Sequence, residues 1–236
     1  MLFHNLRDTA NLKRIKKFKL NINKYCIKQV SEFKYLGIIL DHKLKWQNHI
    51  DYLCIKLSRA AGMIYKLKNV APKSVIKMVY YSIVDTHLRY GITSFGSAKS
   101  TALERLNSIH CKIIRYMKNR NESISQGFSS LEILDIQSLY KYELIKLIFK
   151  MRNDVVPNAF KSFIHRINHQ FGTRSRALGD YDIPHPKTER DKCSIKYQGA
   201  VCWNSLPPDL KKCTNKNKFL QLLKTHLLHS QNALSL

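Results

Sequence analysis

The sequence has 236 residues, room for one large domain or two modest ones, and its 44% hydrophobic content is enough to build a core. That fraction excludes a disordered tail. Forty-one Lys and Arg against 16 Asp and Glu leave a formal charge of +25, a surplus that attracts polyanions, nucleic acid foremost, unless it serves only as a solvated surface.

The chain opens MLFHNLRDTANLKRIKK, which has no apolar h-region and no small-residue cleavage site, so no signal peptide is expected there. Residues 17 to 40 pattern as strands. Phe18, Leu20 and Ile22 alternate with polar residues, Asn23-Lys24 can turn, and Tyr25 to Val30 returns. Tyr35 to Leu40 is the longest apolar run, far too short for a membrane span, and is expected to be one mostly buried strand. Gly37 inside it marks a close approach by another backbone or a ligand. The expectation is an intracellular chain, cytoplasmic, nuclear or both, with no membrane partner and with reduced thiols at its six cysteines.

From His49 the period becomes helical. Ile50, Leu53, Leu57, Ala60, Ala61, Ile64 and Leu67 fall within about 140° of one another, and Lys56, Arg59 and Lys66 gather on the opposite side within about 80°. Pro72 suits the first turn of a second helix, whose apolar residues are Val75, Ile76, Val79, Tyr80, Ile83 and Val84 and which ends near Tyr90-Gly91. Thr101-Ala-Leu-Glu104 fits a capping box opening a third. There Leu103, Leu106, Ile109, Ile113 and Met117 form the inner stripe, and Arg105, Lys112 and Arg115 the outer one. Two basic helix faces close in sequence favour a groove that tracks phosphates over plain solvent contact.

Residues 119 to 130 are polar and predict a loop, after which Ser129-x-x-Glu132 could cap a short helix. A longer helix is expected over Ser138 to Arg152. No periodicity persists from Val156 to Glu189. Residues 194 to 210 pattern as a short strand with a Trp and a double-Pro stop, before a last helix from about Asn217 to His229. The expected fold class is α+β, mainly α: short N-terminal antiparallel strands, a helical bundle, and a mixed, loop-rich C-terminal region.

Constellations for chemistry are not found. Asp8, Asp41, Asp51 and Asp85 are scattered, outside any YxDD or DxD cluster that would hold Mg²⁺. No Gly-rich phosphate loop and no GxSxG occurs. His165 and His169 have helical-pair spacing without a metalloprotease Glu, and Cys193, Cys202 and Cys213 lack a close pair to seed zinc. Neither a catalytic residue nor a metal ligand is assigned.

The stretch FKYLGIILDHKLKWQNHI, residues 33 to 50, resembles the segment just after the palm in reverse transcriptases of non-LTR, LINE-type, jockey-like retrotransposons. The initial MLFH, the Tyr80-Tyr81 helix, Arg89-Tyr90-Gly91, Phe95-Gly96, the Leu106 to Arg115 helix, Thr173-Arg174-Ser175 and Trp203-Asn204-Ser205-Leu206-Pro207 extend the resemblance over nearly the whole chain. It implies a palm edge with the primer grip over residues 1–48, a helical thumb over 49–120 and a C-terminal region over 121–236. Tyr35-Leu36-Gly37 then corresponds to the primer grip, and Lys34 and Lys43 can meet phosphates. Plain core packing is an equal reading for Tyr35, Leu36 and Ile38. Trp46 either stacks on a sugar or base or plugs the palm–thumb junction. With Lys56, Arg59, Lys66, Arg105, Lys112 and Arg115, these residues form the expected nucleic-acid-binding set. The implied function is a truncated RNA-directed DNA polymerase that binds RNA, DNA or their hybrid, with the palm and fingers portion of the polymerase as a further partner. It needs no cofactor of its own, since Mg²⁺ is expected only for a complete polymerase. A free-standing basic RNA- or DNA-binding protein is the alternative, and a bare sheet edge that self-associates is a third reading.

Overall fold

The computed structural model describes residues 20–161 and 181–233. The expectations placed on MLFH, Phe18, His165, His169 and Thr173-Arg174-Ser175 lie outside the described residues. Two small antiparallel hairpins come first: β1 (Leu20–Ile22) with β2 (Tyr25–Ile27), and β3 (Glu32–Tyr35) with β4 (Ile38–Asp41). Both use two-residue loops with positive φ at each loop residue, 47° and 72° at Asn23-Lys24 and 47° and 83° at Leu36-Gly37. That geometry matches the right-handed twist of the flanking strands. The apolar run Tyr35 to Leu40 is therefore not one strand. It reverses at Leu36-Gly37, because Gly37 takes the left-handed conformation and Leu36 is carried with it. Nor is it buried: Tyr35 is 58% and Leu36 71% exposed, so core packing does not account for those two side chains.

Helices follow, and the class is α+β, mainly α. α1 (Gln47–Leu67) buries Ile50, Leu53, Leu57, Ala60, Ala61 and Ile64, as its periodicity requires. α2 (Lys73–Val79) runs through a π-helical segment, Tyr80–Asp85, into α3 (Thr86–Arg89), and α4 (Ile92–Phe95) turns off at Gly91, where φ is 71°. α5 (Ser100–Met117) packs along α1. It starts at Ser100 with Lys99 as its cap residue and no side-chain cap, so the Thr101–Glu104 box does not form. The polar stretch at 119 to 130 is a helix over most of its length, α6 (Ile124–Ser130). Ser123 Oγ accepts from Gln126 N–H, and the Gln126 amide oxygen accepts from Ser123 N–H. Ser129 is thus inside a helix and caps none. Asp135 instead caps α7 (Ile136–Arg152) by accepting from Ser138 N–H at 2.7 Å.

After α8 (Asn158–Lys161) and α9 (Glu189–Lys192), the segment expected as a strand is α10 (Ile195–Asn204), capped by Ser194. Gly199 and Ala200 let its backbone lie close to α7, and Trp203 is fully buried. Trp203 meets Tyr181 edge-on at 5.9 Å, while Phe149 and Phe219 stack at 4.2 Å beside it. The Asn204 amide exchanges two hydrogen bonds with the Tyr181 backbone, at 2.9 and 2.8 Å. α11 (Pro208–Lys212) and α12 (Lys216–Ala233) close the chain. One apolar cluster runs from Ile50 to Leu227, so both halves of the helical region share a core.

Inside that core His110 is wholly buried, its Nε2 hydrogen-bonded to the Tyr80 hydroxyl at 2.8 Å and its Nδ1 without a partner. Burial pushes its pKa from 6.5 to about 3. An unfolded His takes up a proton that the folded one refuses, so stability is intact above pH 6.5 and falls as pH drops toward 3. Urea denaturation is expected to show a loss of about 2 kcal/mol between pH 7.5 and pH 5, at about 1.4 kcal/mol per unit. His110→Gln should flatten that dependence.

Candidate nucleic-acid interface

Among the described residues the hairpin β3–β4 has no further strand beside it, and its position on the helices comes from a few polar and close-packed joints. The Tyr90 hydroxyl donates to the Leu36 carbonyl. A Cβ on Gly37 would stand 3.3 Å from the Tyr90 ring, and one on Gly91 would stand 2.5 Å from the tip of Ile38. Ile39 N–H donates to His49 Nδ1 at 3.4 Å, and Asn48 donates to Glu32. The Arg89-Tyr90-Gly91 stretch is the clasp. Arg89 bonds Asp85 at 2.5 Å and Glu143 at 2.6 Å, tying α3 to α7, while Tyr90 and Gly91 receive the hairpin tip. Phe95 and Gly96 sit just behind it. Phe95 meets His49 edge-on at 5.1 Å, and Gly96 leaves room for the Tyr140 ring.

Asp41 organises the link into α1. Its carboxylate accepts from the backbone N–H groups of Lys43, Lys45 and Trp46 at 2.9, 2.9 and 3.0 Å. That network holds Leu44 and Trp46 at φ 49° and 65°, a region that bulky residues rarely enter. Trp46 packs half-buried against the core.

Beyond the link, two lysines converge on one ring. Lys34 Nζ from β3 lies 5.0 Å and Lys56 Nζ from α1 5.3 Å from the centre of Tyr52. Lys56, bonded to the hydroxyl, holds the Tyr52 phenol below its usual pKa, with the charge of Lys34 adding to the effect. Tyr52, Lys56, Gly37, His49, His87 and Tyr90 are among the residues that line a cavity of about 280 Å³. Burial lowers the His49 pKa and keeps the ring neutral, so Lys34 and Lys56 supply the positive charge here. Such a recess suits an anionic group with an aromatic face beside it.

The remaining expected residues lie elsewhere. Asp51 pairs with Arg105 and Tyr65 with Tyr116, so α1 and α5 run parallel. Arg59 and Arg105 line the groove between them with Cys54, Ile55, Ser58 and Ile109, a space of about 380 Å³. Arg105 is not a free cation, since it donates to Asp51 at 2.7 Å. Lys66, Lys112 and Arg115 are exposed farther along. Lys43 is half-buried, and its carbonyl accepts from Arg190 at 2.8 Å. The basic residues of α1 therefore divide. Lys56 joins Lys34 at the hairpin, and Arg59 faces the α5 side.

Tyr52, Tyr90, Asp41 and His49 are not in the expected binding set, although Asp41, His49 and Tyr90 lie in stretches that carry the resemblance. The Tyr52/Lys56 spacing of four was a usable signal; the Tyr90 contact spans 54 residues and left none. The sequence also holds Asp180-Tyr181-Asp182, a DxD not singled out above, with Tyr181 buried in the core and Asp182 exposed. No cluster of metal-ligating side chains occurs among the described residues, and no helix there is long and apolar enough to cross a membrane.

Part of the chain is similar to curated polymerases. A segment is 26% identical over 113 residues to the "RNA-directed DNA polymerase from mobile element jockey" of Drosophila funebris. It is 27% identical over 118 residues to the polymerase of the same description from Drosophila melanogaster. The similarity is to a reverse transcriptase. Each match covers 43% of this chain and 12% of the relative, so the chain spans only a small part of the polymerases it resembles. No family model and no solved structure matches.

Removing the organising carboxylate isolates the link. Asp41→Ala is expected to destabilise the chain by about 1–2 kcal/mol, as loss of a capping side chain does, and Asp41→Asn by less, because one acceptor oxygen remains. Urea midpoints at constant m-value read this out.

Proposed function

We propose that this chain is a reverse-transcriptase-derived fragment that holds primer–template nucleic acid without carrying the polymerase's metal chemistry. The observation supporting this most directly is the β3–β4 tip. Tyr35-Leu36-Gly37 is an exposed turn clasped by Tyr90, with Lys34 and Lys56 converging on Tyr52 at its flank. In this reading the tip acts as the primer grip, and α1 and α5 form the thumb. Lys34 and Lys56 meet phosphates of the primer end, and Arg59, Lys66, Lys112 and Arg115 follow the backbone beyond it. Two-metal phosphoryl transfer requires converging carboxylates, and the sequence contains no Tyr- or Phe-x-Asp-Asp. Mg²⁺ therefore belongs, in this proposal, to a palm that the fragment would dock against.

The charge of +25 also favours a second reading, a free-standing basic protein that coats RNA or DNA. The two differ at the hairpin. A primer-holding fragment binds a hybrid with a recessed end more tightly than a blunt one and loses that preference in Lys34→Ala/Lys56→Ala. A coat protein shows no such preference.

Two outcomes test the proposal. The purified chain should incorporate no nucleotide on primed RNA, with or without Mg²⁺; incorporation by a preparation freed of other polymerases would refute it. Binding should weaken linearly with the logarithm of salt. Neutralising Lys56, Arg59, Lys112 and Arg115 together should reduce that slope by about 3, given about 0.7–0.9 per phosphate contact. A slope that did not move would sink the thumb assignment.

A further inference from the structure

The far ends of α1 and α5 carry a feature that the hairpin reading does not use. Tyr65 and Tyr116 meet there, ring centres 5.1 Å apart and inclined at 59°. Lys68 Nζ stands over both, at 4.3 Å from Tyr65 and 5.4 Å from Tyr116. Tyr65 is 52% exposed and Tyr116 half-buried. Neither hydroxyl forms one of the core's hydrogen bonds; Tyr116 packs one side against the core, and Tyr65 stands outside it. Lys66, Lys112 and Arg115 are exposed on the adjoining turns. The opposite end of the same helix pair holds Asp51, which neutralises Arg105. At this end the nearby acid, Glu122, is engaged with Asn119 and Ser130, so its charge is already turned toward neighbouring donors.

We propose that these two helix ends form a second nucleic-acid site, selective for single strands. An unpaired base stacks on the exposed tyrosine pair, and Lys68, Lys66, Lys112 and Arg115 hold the phosphates on either side. Aromatic faces interleaved with cations are the general means of gripping a strand without reading its sequence, because every base has a π-face. A duplex keeps its bases stacked on one another and presents none to Tyr65. Selection for single strands therefore follows from the rings, and the cations alone would not produce it. Tyr52 and Tyr65 are thirteen residues apart on α1, about 20 Å along the axis at 1.5 Å per residue. At 100° per residue the two rings also stand about 140° apart around that axis, so a strand joining them passes around α1 and needs at least about six nucleotides at about 3.4 Å each. A duplex end at the hairpin and an unpaired extension at the tyrosines would then occupy two flanks of one helix. Only that ordering rests on the hairpin reading; the tyrosine site stands without it.

The test is fluorescence anisotropy of the full chain with a short oligouridylate and with a blunt RNA–DNA hybrid at one fixed salt. Tyr65→Leu/Tyr116→Leu is expected to weaken oligouridylate binding about ten-fold and leave the hybrid within about two-fold, as loss of one stacked base predicts. Tyr65→Phe/Tyr116→Phe should retain single-strand binding, which separates stacking from folding or hydroxyl effects. Lys34→Ala/Lys56→Ala should show the opposite pattern. Unchanged oligouridylate affinity in the Leu variant, or equal losses on both ligands, would overturn the proposal. Intact oligouridylate binding with no hybrid binding would instead overturn the hairpin assignment and leave this one standing.

Discussion

The clasp of Tyr90 over the Leu36-Gly37 turn is the joint on which the arrangement depends. A two-stranded hairpin is marginal by itself in water, and β3–β4 pairs with no third strand among the described residues. Its place is set by the Tyr90 hydroxyl on the Leu36 carbonyl, Ile38 against Gly91, and His49 under Ile39. Each of these requires a side chain or a missing side chain on the helical body. Gly37 and Gly91 take φ of 83° and 71°, where any Cβ is strained, and the Tyr90 ring and the tip of Ile38 also crowd the space a Cβ would fill. Without the clasp, Lys34 would not be carried to Tyr52, and the cavity beside the turn would open.

Charge is distributed unevenly over this frame. Arg89 sits between Asp85 and Glu143, and Lys146 adds to the same network, so these cations stabilise the packing of α3 on α7. Arg105 is matched to Asp51. Among the described residues Lys34 and Lys56 have no carboxylate partner and share an aromatic one, a weaker hold. In the proposed reading an arriving phosphate would compete with that hold. Among the described residues His49 and His110 are buried, and burial lowers the pKa of both. The formal charge of +25 comes from Lys and Arg with every His counted neutral, and the pull such a surplus exerts on polyanions is screened by salt.

Helices whose apolar stripe is regular were legible from sequence alone. α1, α5, α7 and α12 fall where the period of 3.6 placed them, within one or two residues at most ends. What misled was composition. Ile195 to Asn204 has aromatic and β-branched residues, yet Gly199 and Ala200 are small enough to bring the helix against α7, and Ser194 caps it. The polar run before Ser130 hid a Ser123/Gln126 capping box that follows the usual spacing. Leu36 at φ 47° is the hardest case, because a Leu in a two-residue turn has no propensity signal. Of the expected site, the pattern put Lys34 with Lys43 and Lys56 with Arg59 and Lys66, whereas the fold brings Lys34 and Lys56 to one ring. The division of α1 into a hairpin flank and an α5 flank was not visible, since it depends on which neighbours occupy each side.

The strained positions carry the last step. Leu36, Leu44 and Trp46 all have positive φ, at about 1–3 kcal/mol each for non-Gly residues in sparsely populated regions. Asp41 and Tyr90 impose the conformation, and the cost is met by the core that runs from Ile50 to Leu227. For Trp46 there is a return within the chain, because its ring packs on that core. For Leu36 there is none. Its side chain is 71% exposed, and Gly or Asn in its place would remove the strain at no loss of packing. An apolar tip held rigidly outward at such a cost fits a surface that meets something outside this chain. Under the function proposed above, the sugar edge of a nucleic-acid end lying between Lys34 and the turn would give Leu36 the contact that the isolated fold denies it.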